Sequence, residues 1–225
     1  MQNPSHSLHS AYFHPTLREW QSSLAIKDTN LILPIFVTNK EGEKTEISSM
    51  PGNYRYGFDV VADELQPLIH ESGPSLRSII LFGVLDDELK DEDGSASYNV
   101  SPVPKALKSL REKYGDKLLL CVDICLCAYT THGHCCVFTP EGEINLPETH
   151  KQLSKMSVVY AEAGADVIAP SDMMDNRIGP IREGLNAAGL KRAIMSYSSK
   201  FKSNCYGPFR DAAASAPSFG DRAAY

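Results

Sequence analysis

The segment Lys117-Leu-Leu-Leu-Cys-Val-Asp-Ile-Cys-Leu126 is an almost continuous run of apolar residues. A short run of this kind predicts a strand that is buried on both faces of a sheet. Similar runs occur earlier, at residues 31–38 and 76–85, and later, at residues 165–171 and 193–200. We therefore predict five buried strands.

Helical patterns separate these strands. Residues 58–71 repeat apolar side chains at the spacing of one helix face, and residues 104–114, 148–163 and 176–188 do the same. Residues 86–103 are acidic and contain Gly, Ser and Pro, so a loop is predicted there. Because strands and helices alternate, we expect a parallel sheet that is covered by helices.

Two α/β architectures satisfy this order, an open doubly wound sheet and a closed barrel. The first strand–helix junctions contain neither G-x-G-x-x-G nor G-x-x-x-x-G-K-[ST], the usual signatures of a nucleotide-binding open sheet. We therefore favour a (β/α)8 barrel, the TIM barrel. Such a barrel needs eight strands in about 250 residues. We expect only about the first five β/α units over residues 31–225, after an extended N-terminal arm over residues 1–30.

Composition excludes several classes of function. The net charge is −6, which argues against an extended nucleic-acid surface. No apolar run approaches the ~18 residues of a membrane span, and the polar N-terminus lacks the apolar region of a signal peptide. We therefore expect a cytoplasmic protein with no membrane partner. In a reducing compartment, the six cysteines indicate metal binding more than disulfides.

The arm carries apolar side chains that would be poorly covered by the arm alone, namely Tyr12, Phe13, Leu17 and Trp20. Packing of the arm on a neighbouring subunit would cover them, which predicts an oligomer. Packing back onto its own domain is the alternative.

The most specific local signal is C-x-C-x7-C at Cys125, Cys127 and Cys135. In an extended strand Asp123, Cys125 and Cys127 share one face, and the loop that follows can return Cys135 to them. Three thiolates suit tetrahedral Zn2+ and leave its fourth position open, as in catalytic sites. Two alternatives remain: the cysteines are small buried hydrophobes, or His134 is also a ligand.

Two further signals follow along the chain. Lys200 ends the fifth predicted strand, where a desolvated amine with a lowered pKa can attack a ketone. Arg210 and Arg222 lie in a Gly- and Pro-containing segment just beyond it, and arginine binds carboxylates through two parallel hydrogen bonds. The plain alternatives are a lysine that reaches solvent and arginines in a surface loop.

Position connects these residues. Asp123, Ser171 and Lys200 fall at or near the carboxyl ends of strands three, four and five, and in a barrel these ends meet at one mouth. Ser171-Asp172 is expected to line that pocket, to cap the helix that follows, or to do both.

Four segments of the sequence resemble a known family. The segment from Cys121 to Cys135 is similar to the zinc loop of 5-aminolevulinate dehydratase, also called porphobilinogen synthase. So are Ala169-Pro-Ser-Asp-Met-Met-Asp175, Met195-Ser-Tyr-Ser-Ser-Lys-Phe201 and Tyr206-Gly-Pro-Phe-Arg-Asp211. The resemblance extends from about His9 to Asp221.

The resemblance implies a (β/α)8 barrel enzyme, commonly an octamer whose N-terminal arms embrace neighbouring subunits. It implies the condensation of two 5-aminolevulinate molecules to porphobilinogen, with loss of two waters, in tetrapyrrole synthesis. Carried over by position, Cys125, Cys127 and Cys135 match the catalytic zinc ligands. Lys200 matches one of two lysines that form Schiff bases with substrate.

The remaining positions carry over in the same way. Arg210 and Arg222 match arginines that bind the carboxylate of the second substrate molecule, and Asp123 and Ser171 match polar residues lining the site. The zinc would polarise the ketone of that molecule or bind its amine. Members with a second zinc have a cysteine where Ala224 stands.

Family members continue beyond position 225, into strands six to eight, the other Schiff-base lysine and the groups that bind the first substrate's carboxylate. The sequence is therefore expected to be a fragment of an ordinary enzyme, inactive and prone to aggregate when expressed alone. The alternative is a short, non-catalytic subunit that joins intact partners through its arm. A different Schiff-base aldolase would not need the cysteine loop.

Overall fold

A computed structural model describes residues 9–21, 26–222 and 225. Parts of the predicted arm, residues 1–8 and 22–25, and Ala224 lie outside the described residues. The described chain contains one seven-stranded sheet, whose strands are β1 Leu33–Thr38, β2 Lys44–Glu46, β3 Tyr54–Gly57, β4 Ser78–Val84, β5 Leu119–Ile124, β6 Val167–Pro170 and β7 Ala193–Ile194. Their spatial order is β2-β3-β1-β4-β5-β6-β7. Neighbouring strands are parallel except β2, which runs antiparallel to β3.

Helices connect most of these strands. Their bounds are α1 Pro15–Glu19, α2 Val61–Glu64, α3 Ala96–Asn99, α4 Val103–Tyr114, α5 Leu146–Glu162, α6 Ile178–Ala187 and α7 Gly207–Ala213. Among the described residues, no helix combines the length and the apolar character that crossing a bilayer requires.

The arrangement of the helices distinguishes a barrel from a doubly wound sheet. β1, β4, β5, β6 and β7 are neighbours in chain order. Side chains of the crossover helices α2, α4, α5 and α6 all pack in one core with the outer face of the sheet, to which Ile79 and Leu81 of β4 belong. The alternate residues Ile80 and Phe82 face a second, inner core, which α1 and α7 cover. A doubly wound sheet would have crossover helices on both faces, so the prediction of an incomplete (β/α)8 barrel is confirmed.

Several local predictions were wrong. β2 and β3 were not predicted, because they have only three and four residues and neither forms an apolar run. The helix predicted at residues 58–71 is reduced to α2 and a single 3-10 turn, Gln66–Leu68, that contains Pro67. Proline lacks the N–H that an α-helix interior needs. The predicted loop 86–103 contains α3, and the fifth strand ends at Ile194 instead of at residue 200.

The described part of the arm packs on its own domain. Leu17 of α1 is buried in the inner core, with Phe13 and Trp20 partly buried against it. The indole N–H of Trp20 donates to the carbonyl of Thr29. Tyr12 is 75% exposed. Three of the four apolar side chains, Phe13, Leu17 and Trp20, therefore pack on the chain's own domain.

Candidate active site and metal centre

The three predicted cysteine ligands lie together just beyond β5. The strand ends at Ile124, two residues before the predicted end at Leu126, so both Cys125 and Cys127 lie in the turn that follows. Their Sγ atoms are 3.4 Å apart, and the Sγ atoms of Cys125, Cys127 and Cys135 all lie within 4.8 Å of one another. The structure therefore brings the three thiols to one point even though the extended geometry ends early.

Gly133 allows the chain to return to this point. Its φ is +70°, a left-handed conformation that favours glycine. A Cβ atom there would also overlap the carbonyl oxygen of Ala216, which crosses the loop. The N–H of Gly133 donates to the carbonyl of Thr130 over 3.1 Å, which closes the turn that delivers Cys135.

The geometry and chemistry of this cluster fit a tetrahedral metal ion. Zinc–sulfur bonds of about 2.3 Å in tetrahedral geometry separate two sulfurs by roughly 3.8 Å, a value compatible with the observed spacing. Hydrogen bonds from the Cys125 and Cys135 thiols lower the pKa of Cys127 well below its ordinary value, and the nearby charges of Arg222 and Lys200 act in the same direction. The cluster therefore stabilises a thiolate, the form that binds metal.

His134 directs its ring elsewhere. Its Nδ1 lies 2.5 Å from the hydroxyl of Tyr225, and its Nε2 lies 3.0 Å from the carbonyl oxygen of Phe219. Both ring nitrogens thus have partners other than a metal, and the geometry gives no support for His134 as a ligand.

A cleft of about 550 Å³ opens beside the cysteines. Four of the predicted site residues line it: Cys135, Lys200, Arg210 and Arg222. These residues come from the cysteine loop, the segment after β7, α7 and the segment after α7. Tyr206 and Tyr225 also line the cleft. Tyr225 was not predicted, because an isolated aromatic residue in a loop gives no sequence signal of its own.

Lys200 reaches the cleft from a turn and not from a strand end. Its backbone N–H donates to the carbonyl of Tyr197 over 3.2 Å, and its side chain is exposed. Its Nζ donates to the carbonyl of Ser171 over 2.6 Å. The N–H of Ser171 in turn donates to the carbonyl of Ile124 at the end of β5. Ser171 therefore links Lys200 to the strand that precedes the cysteines.

Asp123 lies on the inner face of β5, in alternation with Val122 and Ile124, which belong to the outer core. Burial raises the pKa of its carboxyl to about 8, although a hydrogen bond from the side chain of Ser171 opposes this. Its Oδ1 is buried and has no hydrogen-bond partner among the described residues.

Asp172 does not cap α6. Its Oδ1 accepts the N–H of Met174 over 3.0 Å, and its Oδ2 lies 3.3 Å from Nε of Arg177. The residue that precedes α6 is Arg177 itself. Asp172 thus stabilises the turn between β6 and α6. The prediction that it caps the following helix was wrong.

The two arginines are held differently. Arg222 donates to the carbonyl of Gly133 over 2.6 Å and to the carbonyl of Ser215, so it is anchored to the cysteine loop. Burial is the largest influence on its pKa and lowers it, but Cys127, Cys135 and Cys125 together raise that pKa above its ordinary value. Arg210 lies on α7. In the described part of the chain, the Nε–H of each arginine is buried without a partner, which leaves a donor that a carboxylate can accept.

Comparison with known proteins identifies relatives of the whole chain. The family model described as delta-aminolevulinic acid dehydratase matches residues 5–225. The delta-aminolevulinic acid dehydratase of Dictyostelium discoideum is 48% identical over 228 residues, covering 100% of this chain and 67% of the relative. The protein of the same name from Bos taurus is 45% identical over 227 residues, covering 99% and 68%.

A solved structure agrees with these sequences. The delta-aminolevulinic acid dehydratase (porphobilinogen synthase) of Toxoplasma gondii ME49, in complex with the reaction product porphobilinogen, superposes with a TM-score of 0.82 at 34% identity. The match covers 100% of this chain and 62% of that one, so the chain spans about two thirds of the length of the relatives it matches. The chain belongs to the delta-aminolevulinic acid dehydratase family, as its motifs predict.

Proposed function

We propose that this chain carries the metal-binding half of a porphobilinogen synthase. That enzyme, a hydro-lyase of tetrapyrrole (heme) biosynthesis, condenses two molecules of 5-aminolevulinate to porphobilinogen with loss of two waters. The observation that carries the proposal is the single cleft lined by Cys135, Lys200, Arg210 and Arg222, beside three thiols that lie within 4.8 Å of one another.

Cys125, Cys127 and Cys135 are the proposed ligands of Zn2+. When bound, the zinc would act as a Lewis acid toward the ketone or the amine of the second substrate molecule. Cys125 and Cys135 are buried, and the cluster stabilises the thiolate of Cys127. Because three donors lie together in the described part of the chain, a fourth coordination position would remain for substrate or water.

Lys200 is the proposed Schiff-base lysine. Its neutral amine would attack the substrate ketone, and the resulting carbinolamine would lose water to form the imine. The carbonyl of Ser171 orients Nζ by accepting its hydrogen bond over 2.6 Å. Asp123 and the side chain of Ser171 are proposed as polar groups of the same pocket, since a hydrogen bond connects them at the carboxyl ends of β5 and β6.

The two arginines are proposed to bind the substrate carboxylate. Arg222 donates a hydrogen bond to the carbonyl of Gly133, and Arg210 lies on α7. A carboxylate between them would accept the two buried Nε–H groups, which have no partner among the described residues. This arrangement would orient the second substrate molecule next to the cysteines.

Sodium borohydride trapping tests the lysine assignment directly. The 225-residue chain is incubated with 5-aminolevulinate, reduced, digested and analysed by mass spectrometry. We expect a substrate adduct on Lys200 and none in Lys200→Met, whereas the neighbouring Lys202→Met should keep the adduct. An adduct that is absent from the parent, or that persists in Lys200→Met, would contradict the proposal.

Full turnover by these residues alone is not expected. Among the described residues, β7 pairs only with β6, so its other edge is open, and an open edge favours aggregation. We propose that the isolated chain forms no porphobilinogen, which Ehrlich's reagent would detect. The second candidate, a non-catalytic subunit of the same family, predicts instead that the chain co-purifies with an intact member without forming the Lys200 adduct.

We also propose a homo-oligomer, an octamer as in the family, assembled through residues 1–30. Exposed apolar side chains in and beside this segment support an interface, namely Tyr12 at 75%, Ile26 at 89% and Leu31 at 61%. Light scattering after gel filtration measures the assembly, and Tyr12→Ser with Ile26→Ser should reduce its mass. Six free cysteines suit a reducing compartment, so the proposed location is the cytoplasm.

A further inference from the structure

We propose that Tyr129 is a positioning residue that preorganises the cysteine loop for its metal ion, through a buried cluster of three hydroxyl groups. This inference rests on the proposed metal role of the loop. Tyr129 lies between the second and third ligands, Cys127 and Cys135, and its side chain points away from them into the outer core.

The cluster joins three separate elements. The hydroxyl of Tyr129 lies 2.8 Å from that of Tyr160 on α5 and 3.2 Å from Oγ of Ser101, which precedes α4. Ser101 Oγ and the Tyr160 hydroxyl are also 2.8 Å apart. Each hydroxyl can donate one hydrogen bond and accept others, so the three satisfy one another in a closed ring. Since all three residues are buried, losing one hydroxyl would remove a hydrogen-bond partner from each of the other two, which water cannot readily replace.

The absence of a side chain at Gly83 of β4 leaves room for the Tyr129 hydroxyl of this ring. A Cβ atom at Gly83 would overlap the hydroxyl of Tyr129. The φ of Gly83 is not in the left-handed region, so its backbone does not require glycine. The close approach of the Tyr129 hydroxyl is therefore the reason that glycine suits position 83.

Hydrogen bonds of the residues next to Tyr129 connect it to the segment that holds Cys135, the third proposed ligand. The carbonyl of Tyr129 accepts the N–H of Asp91 over 3.1 Å, and the N–H of Thr131 donates to the carbonyl of Asp91 over 2.8 Å. Between these contacts, Oγ1 of Thr130 donates over 2.9 Å to the carbonyl of His134, which directly precedes Cys135. Anchoring Tyr129 thus limits where Cys135 can lie.

Preorganisation of this kind affects metal affinity, because a loop that is already ordered loses little conformational freedom when the ion binds. Supporting residues around metal ligands typically change affinity by 10- to 100-fold. We therefore expect Tyr129→Phe, which keeps the ring and removes only the hydroxyl, to weaken metal binding about tenfold.

Co2+ is the probe, because its thiolate charge-transfer bands report the cysteines independently of enzyme activity. The reduced 225-residue chain is titrated anaerobically with Co2+, and the affinity and band intensity are compared between variants. Tyr114→Phe is the matched control: Tyr114 is also buried, and its hydroxyl donates to the carbonyl of Ala62 away from the cysteines. We expect the two variants to lose similar thermal stability. Tyr129→Phe should also lose affinity for Co2+, whereas Tyr114→Phe should keep it.

Ser101→Ala provides a second variant if Tyr129→Phe does not fold, and it should weaken Co2+ binding in the same direction. Unchanged affinity in the folded variant, or an equal loss in Tyr114→Phe, would overturn the inference.

Thiol reactivity of the metal-free protein separates this inference from the proposed metal role. With exposed Cys205 as the internal reference, Tyr129→Phe should make Cys125, Cys127 and Cys135 react severalfold faster with a disulfide reagent. If the parent shows no thiolate–Co2+ bands, the metal role is wrong, and equal reactivity in the parent and the variant would then show that Tyr129 does not order the loop.

Discussion

Arg55 on β3 donates from Nε to the carbonyl of Ala212 in α7 over 2.9 Å, across 157 positions of sequence. The same guanidinium contacts the carbonyl of Asp211, and Nζ of Lys90 donates to the carbonyl of Ala214 over 2.8 Å. The last carbonyls of a helix lack intrahelical partners and carry partial negative charge. Arg55 and Lys90 therefore bind the carboxyl end of α7, the helix that bears Arg210.

Replacing Arg55 with Gln should destabilise the fold measurably. Hydrogen bonds to charged groups contribute about 1.5–3 kcal/mol, so we expect a loss of this order in the free energy of unfolding, measured by urea denaturation. Arg77→Gln is the control, because the 3.7 Å ion pair of Arg77 with Asp28 is partly exposed and should contribute below about 1 kcal/mol. Equal losses in the two variants would show that the α7 contacts do not matter.

A Cβ atom at Gly83 should destabilise the protein less when the Tyr129 hydroxyl is absent. Gly83→Ala is expected to destabilise the protein by about 1–3 kcal/mol through overpacking, and Tyr129→Phe in the same chain should recover part of that loss. Gly179→Ala on α6 is the control, since nothing lies near its Cβ position and alanine favours helix. Additive effects of the two substitutions in a double-mutant cycle would contradict the contact.

Asp172 should make stability fall as pH rises. Burial raises the pKa of its carboxyl from about 4 to about 7, although the N–H of Met174 and the charge of Arg177 partly offset this. The folded protein thus holds a proton that the unfolded chain releases. The resulting stability is fully present below about pH 4 and is lost by about pH 7, with a slope of at most about 1.4 kcal/mol per pH unit.

Thermal unfolding of Asp172→Asn between pH 4 and pH 8 measures this contribution. Asn cannot titrate, so the variant should lose less stability than the parent over that range, even if losing the contact with Arg177 lowers its stability at every pH. Asp175→Asn, which changes an exposed carboxyl in the same turn, should retain the slope of the parent. A parent and an Asp172→Asn variant with parallel pH profiles would refute the shift.

Removal of one thiol should abolish stoichiometric metal binding. Cys135→Ser is expected to weaken Zn2+ binding by more than about a hundredfold, beyond the usual cost of losing a supporting residue. Equilibrium dialysis with metal analysis measures the bound ion. Cys205→Ser removes an exposed thiol outside the cluster and should still bind one equivalent. Full binding by Cys135→Ser would favour the interpretation of these cysteines as small buried hydrophobes.

The sequence by itself determined the features that depend on neighbouring residues. The apolar runs predicted β1, β4, β5 and β6, because a parallel strand that is buried on both faces needs apolar residues at nearly every position. The spacing of the three cysteines predicts a metal cluster, and their thiols do lie together. Motifs predicted Lys200 and the two arginines as site residues, and all three line one cleft. Lys200, however, follows a turn and does not end a strand.

Only the tertiary structure decided the contacts between distant parts of the chain. β3 pairs with the edge of β1, a partner that its four residues do not specify by themselves. Arg55 reaches α7, and Tyr129 meets Ser101 and Tyr160, through the order in which the strands and helices pack. Such contacts join residues that are isolated in the sequence and form no local pattern, so their partners are specified only when the whole sheet is assembled.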